Sequence, residues 1–132
     1  MTNNLCEPKA VNKTGKILVV DDMPGMRLTL VEILEDEGYN VIVAEDGYQA
    51  IAAARENHFD IIFMDIKMPG INGVQALREI KRLDPGVAVV MMTAYSVEEL
   101  IDEARSENIL DVIYKPFDIE KILALVKASA GK

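Results

Sequence analysis

The sequence predicts a single-domain α/β protein: a doubly wound, five-stranded parallel sheet with helices on both faces. Three observations carry this. Five short runs rich in Val and Ile recur at residues 17–20, 41–44, 61–64, 87–92 and 110–114. None alternates strictly between apolar and polar, which is how parallel strands buried on both faces read. Each is followed by an amphipathic or alanine-rich segment of helical length. Strands alternating with helices imply right-handed crossovers.

Taken in order, residues 1–15 are polar and aperiodic, with Asn3, Asn4, Pro8, Asn12 and Gly15. They are expected to form a flexible leader before a domain spanning 16–130. After strand 17–20, Pro24 opens a helix over 24–37 that carries Leu30, Ile33 and Leu34 and stops at Gly38, a C-terminal cap. Strand 41–44 leads to a helix over 47–57 built around Ala50, Ile51 and Ala54. Strand 61–64 leads to a helix over 72–83, with Val74, Leu77 and Ile80 on one face and the turn Asp84-Pro85-Gly86 beyond it. Strand 87–92 leads to a helix over 96–107, where Ser96-Val97-Glu98-Glu99 sets a serine cap with Glu at the third helical position. The last run leads to a helix over 118–130, with Ile119, Ile122, Leu123 and Val126 at i, i+3, i+4, i+7.

The chain's 132 residues, half of them apolar, can bury a core without staples. Its 14 Lys and Arg against 22 Asp and Glu leave a net charge of −8. That excess argues against direct nucleic-acid binding and against an anionic membrane surface. The single cysteine, Cys6, excludes an internal disulfide and a cysteine-built zinc site, and fits a cytoplasmic protein. No apolar run approaches the ~20 residues of a membrane span.

In a doubly wound sheet the chemistry lies outside the carboxyl ends of the strands. There the runs end in Asp21-Asp22, Asp65, Thr93-Ala94 and Lys115-Pro116. Singly, each has a bland reading. Asp22 caps the helix that Pro24 opens, Asp65 belongs to the turn before Met68-Pro69-Gly70, Thr93 is strand edge, and Lys115 is a solvated lysine. Jointly they bring three carboxylates, a hydroxyl and an ammonium to one edge. Three carboxylates so close would not all stay ionised without a cation. All-oxygen ligation suits Mg²⁺, which often shares a phosphate oxygen. One carboxylate is then free to attack phosphorus, with lysine and threonine holding the transferred oxygens. The constellation reads as aspartyl-phosphate chemistry.

Four motifs carry a resemblance: Ile17-Leu18-Val19-Val20-Asp21-Asp22, Phe63-Met64-Asp65-Ile66-Lys67-Met68-Pro69-Gly70, Met92-Thr93-Ala94-Tyr95 and Lys115-Pro116-Phe117. In this order and spacing the chain resembles a response-regulator receiver domain from Gly15 to about Ala130. The resemblance implies a flavodoxin-like (βα)5 fold with strand order 2-1-3-4-5. Asp65 would be the phosphoacceptor, charged by a sensor histidine kinase or a histidine phosphotransfer protein, and a downstream output protein or domain would read the result. Mg²⁺ would be held by Asp21, Asp22, Asp65 and the backbone carbonyl of Lys67, with Asp22 binding it directly and Asp21 mostly through water. Thr93 and Lys115 would hold the phosphoryl group, and the peptide before Pro116 would be cis. Lys67, Tyr95 and Lys115-Pro116-Phe117-Asp118-Ile119 are similar to the single-domain sporulation phosphorelay regulators and to receivers of sigma-54-type activators. Lys67 and Tyr95 would obstruct water and slow dephosphorylation.

Two positions depart from the family pattern. Val112 stands where Tyr or Phe is usual, with Tyr114 two residues on as its replacement on the same side of the strand. Asn108-Ile109 stands where Gly-Ala is usual: Asn suits a left-handed cap, while Ile109 displaces a small residue expected beside the phosphate loop. Two rival readings remain at this point. One is the excised receiver of a larger DNA-binding regulator. The other is a phosphohydrolase, which would typically carry a second aspartate where Lys67 stands. The remaining candidates read as structural: His58 as a solvated or capping residue, Met64, Met68, Met91 and Met92 as core filler, and Glu98 to Glu103 as a solvated face.

Overall fold

A computed structural model describes residues 15–94 and 98–130. The leader before Gly15 with its Cys6, the Ser96-Val97 cap and Tyr95 lie outside the described residues. The strands are β1 (Lys16–Val20), β2 (Asn40–Ala44), β3 (Ile61–Asp65), β4 (Ala88–Thr93) and β5 (Asp111–Tyr114). They alternate with α1 (Pro24–Asp36), α2 (Gly47–Glu56), α3 (Gly73–Leu83), α4 (Glu98–Arg105) and α5 (Ile119–Ala130). All pairings are parallel, in the order β2-β1-β3-β4-β5. This is the expected flavodoxin-like architecture.

The period-2 geometry of a strand divides the core between two faces. Ile17, Val19, Ile61, Phe63, Val90, Met92 and Ile113 meet Leu30 and Leu34 of α1 and Ile122 and Val126 of α5. Leu18, Val20, Ile62, Met64, Val89, Met91 and Val112 face the other way, against α2, α3 and α4. Burial on both faces therefore holds for β1, β3 and β4. It fails at β2, an edge strand whose Asn40 and Val43 are exposed. Residue 43 is a Val in solvent because β2 has a neighbour on one side only.

Helix ends follow local chemistry. Gly38 takes φ +96° and its N–H bonds to the Glu35 carbonyl, ending α1 in the left-handed turn that glycine makes without strain. Asn72 and Gln75 form a capping box at the start of α3. Asn108 adopts φ +64° after α4, the left-handed conformation expected of it. The accompanying expectation for Ile109 needs correction. Asn108, Ile109 and Leu110 line a hollow with Pro85 and Gly86 at the amino ends of the strands. The expected phosphate loop around Asp65 to Pro69 lines a cavity at the opposite edge, so Ile109 bears on core packing and not on that loop. His58 is exposed, with its Nδ1 2.8 Å from Asp84 Oδ2. Met64, Met91 and Met92 are fully buried, whereas Met68 is partly buried and lines the cavity at the carboxyl edge.

Candidate functional site

The parallel strands deliver their carboxyl ends to one edge. In register, Asp65 of β3 lies beside Met92 of β4, and Thr93 lies beside Tyr114 of β5. Asp21 continues β1, its N–H bonded to the Ala44 carbonyl at 3.2 Å. One carboxylate oxygen from each of Asp21, Asp22 and Asp65 falls within 4.8 Å of the others. Asp21 and Thr93 are fully buried, Asp65 nearly so, and Asp22 is exposed. Asp22 is not a helix cap: α1 begins after Met23, which makes no side-chain capping bond.

Lys115 is the counter-charge. Its Nζ donates to Asp21 Oδ2 at 2.9 Å and to Asp65 Oδ2 at 3.0 Å, and its side chain is only 9% exposed. It is no solvated lysine. Its N–H bonds to the Thr93 carbonyl at 2.8 Å, and its peptide bond to Pro116 is cis. Burial pushes the ammonium down, but its bonds to Asp21 and Asp65 outweigh that and raise it above its ordinary range. At Asp65, burial pushes the carboxyl up to about 6. Lys115 and the Lys67 N–H pull it down, while Asp21 pushes it up. One ammonium does not balance three carboxylates.

Over this cluster lies an open cavity of about 330 Å³ lined by Asp22, Met23, Asp65, Lys67, Met68, Pro69, Ala94 and Lys115. The end of β3 approaches the next helix closely. Gly73, at the start of α3, donates its N–H to the Ile66 carbonyl at 2.7 Å. A Cβ at that position would collide with the Asp65 carbonyl oxygen. Val112 is buried in the core, and Tyr114 is half exposed beside Thr93.

The five residues singled out at the strand ends (Asp21, Asp22, Asp65, Thr93 and Lys115) lie at this edge, as does Lys67, which the resemblance added. Reading strand ends missed Gly73, and it missed Arg27. Arg27 Nη1 donates to the Asp21 carbonyl at 2.7 Å. Both act on backbone atoms, and the one available signal was the small residue directly after the Asn72 cap.

Sequence comparison is consistent with this arrangement. Residues 17–127 match the response regulator receiver domain. Sporulation initiation phosphotransferase F of Bacillus subtilis (strain 168) is 38% identical over 112 residues, 85% of this chain and 90% of that protein. Transcriptional regulatory protein ZraR of Escherichia coli (strain K12) is 40% identical over 111 residues, 84% of this chain but 25% of that protein. A CheY-like receiver domain protein from Methanospirillum hungatei JF-1 superposes with a TM-score of 0.86 at 28% identity, covering 90% of this chain and 95% of that one. The receiver domain of sensor histidine kinase PA1611 from Pseudomonas aeruginosa PAO1, solved with magnesium in its active-site cleft, gives 0.81 at 26% identity, covering 90% and 99%. The chain belongs to the response regulator receiver domain family, the phosphoacceptor modules of two-component signalling.

Proposed function

We propose that Asp65 accepts a phosphoryl group from a phosphohistidine of a sensor histidine kinase or histidine phosphotransfer protein. The chain then relays it, or reports it to an output partner. The observation that carries this reading is the Lys115 ammonium bridging Asp21 and Asp65 at 2.9 and 3.0 Å beneath an open cavity. An Asp65 carboxylate oxygen attacks phosphorus, the P–N bond breaks, and the departing imidazole takes up a proton. Lys115 pairs with the transferred group, and the Thr93 hydroxyl donates to one of its oxygens. The chain catalyses only its own phosphorylation and dephosphorylation, and acts in the cytoplasm.

The donor set fits magnesium: it is all oxygen, carries more negative charge than Lys115 balances, and opens to solvent at Asp22. Asp22, Asp65 and the Lys67 backbone carbonyl would hold the ion, with Asp21 mostly through water. When bound, it neutralises charge on the transferring oxygens. Lys67 lines the cavity, where its side chain can shield the phosphoryl group from water and slow dephosphorylation.

Incubation with acetyl phosphate and Mg²⁺ tests the assignment. The expected result is an intact-mass gain of one phosphoryl group that Asp65→Ala abolishes. No gain in the wild type overturns it. A Lys67→Asn, Tyr95→Ala variant is expected to lose the group faster, and an unchanged half-life removes the shielding role.

A further inference from the structure

We infer that Arg27 is a positioning residue for the acidic site: it fixes the main chain of Asp21 and thereby sets the affinity for the divalent cation. The inference rests on reading Asp21, Asp22 and Asp65 as the magnesium-binding set. Arg27 lies in the first turn of α1, its own N–H bonded to the Met23 carbonyl at 3.0 Å. From there Nη1 donates to the Asp21 carbonyl at 2.7 Å, and Nη2 lies 3.6 Å from Glu45 Oε2. One planar fork thus joins the connection after β1 to the connection after β2, a geometry that lysine's single ammonium cannot reproduce. The guanidinium side chain is 14% exposed and does not line the cavity, so it acts through Asp21 and touches neither cation nor phosphoryl group.

Asp21 is held at each of its polar atoms. Its N–H bonds to the Ala44 carbonyl, Oδ1 accepts from the Met23 N–H at 3.0 Å, and Oδ2 accepts from Lys115. Arg27 holds the remaining carbonyl. Without it, a polar group of a fully buried residue loses a charged donor, and the peptide between Asp21 and Asp22 is free to turn. Both carboxylates hang on that peptide. A charge effect alone has the opposite sign: a cation near the site repels a second cation, so deleting it would tighten magnesium binding. Positioning predicts weaker binding.

Calorimetric titration of the full chain with MgCl₂ separates the two. The series compares wild type, Arg27→Gln, Arg27→Lys and, as a remote ion-pair control, Arg78→Gln, whose arginine pairs with Glu103 and Glu107. Arg27→Gln is expected to weaken Mg²⁺ roughly tenfold, the scale of residues that orient metal ligands. Arg27→Lys recovers part of the loss, and Arg78→Gln leaves affinity unchanged. The Mg²⁺ concentration giving half-maximal phosphorylation by acetyl phosphate rises in step, while the rate at saturating Mg²⁺ is kept. Unchanged or tighter binding in Arg27→Gln overturns the inference, as does equal weakening in Arg78→Gln. Should Arg27→Gln not fold, wild-type affinity in Arg27→Lys overturns it. A wild type that binds no Mg²⁺ overturns the metal-site reading itself, a failure distinct from that of Arg27.

Discussion

Asp65 carries a charge that the metal-free fold accommodates only in part, because Lys115 is shared with Asp21 and burial raises the carboxyl to about 6. Asp65→Asn therefore removes an unfavourable charge and keeps the shape. It is expected to stabilise the metal-free protein at pH 7 by on the order of 1–2 kcal/mol, a value discounted because the cavity is open to solvent. The same substitution is expected to abolish phosphorylation, so a urea midpoint that rises while the mass gain vanishes is the signature. Lys115→Met acts in reverse. Two nearly buried carboxylates lose their shared cation, and breaking such pairs costs about 3 kcal/mol or more. Combining it with Asp65→Asn should recover part of that loss, and additive costs would show that the pair is not coupled. The side chains in this argument were legible in the sequence because they end apolar runs. Arg27 and Gly73 were not, since they serve backbone carbonyls, and backbone carbonyls leave no mark in a pattern of side chains.

At the scale of elements, α3 is set against the end of β3 by a close approach at Gly73. Asn72 and Gln75 cap each other, Gly73 bonds to the Ile66 carbonyl, and Val74, Leu77 and Ile80 bury the helix face. A methyl group at Gly73 would meet the Asp65 carbonyl oxygen, an atom that cannot move without moving Asp65, the proposed acceptor. Gly73→Ala is expected to cost about 1–3 kcal/mol, the range for overpacking a close contact. It should also slow phosphorylation by acetyl phosphate beyond what stability explains. Wild-type stability and rate together would show that α3 can shift freely. The helix was legible from its apolar spacing, and its cap from Asn72. What the pattern could not carry was depth: residues 41–44 look as apolar as any central strand, yet an edge position leaves Val43 in solvent. Likewise, Ile109 is one residue from a left-handed turn in either reading. Only the placement of β5 shows that this turn lies at the far edge of the sheet from the acidic cavity.

For the whole molecule, strand order decides which charges meet. β1 lies next to β3, with β4 and β5 beyond, so Asp21 and Asp65 come from adjacent strands while Lys115 reaches both from the end of β5. The topology thus concentrates charge that burial then makes costly, and the balance depends on pH. Asp65 rises from an ordinary carboxyl value near 3.8 to about 6 in the folded protein. Between those values the folded chain binds more protons than the unfolded chain, so its stability falls as pH rises through that window. Well below pH 3.8 both states are protonated at this position and the penalty is absent. Well above pH 6 it is fully present. Metal-free protein is accordingly expected to lose on the order of 1–2 kcal/mol from this group between pH 4 and pH 6.5. Asp65→Asn should flatten that part of the profile. Excess Mg²⁺ should raise stability at pH 7 and do progressively less as the pH falls below 6, where protons compete for the carboxylate. Urea titrations of wild type and Asp65→Asn across this range, with Mg²⁺ and with chelator, give the measurement. Parallel profiles for the two proteins would mean that Asp65 does not carry the penalty.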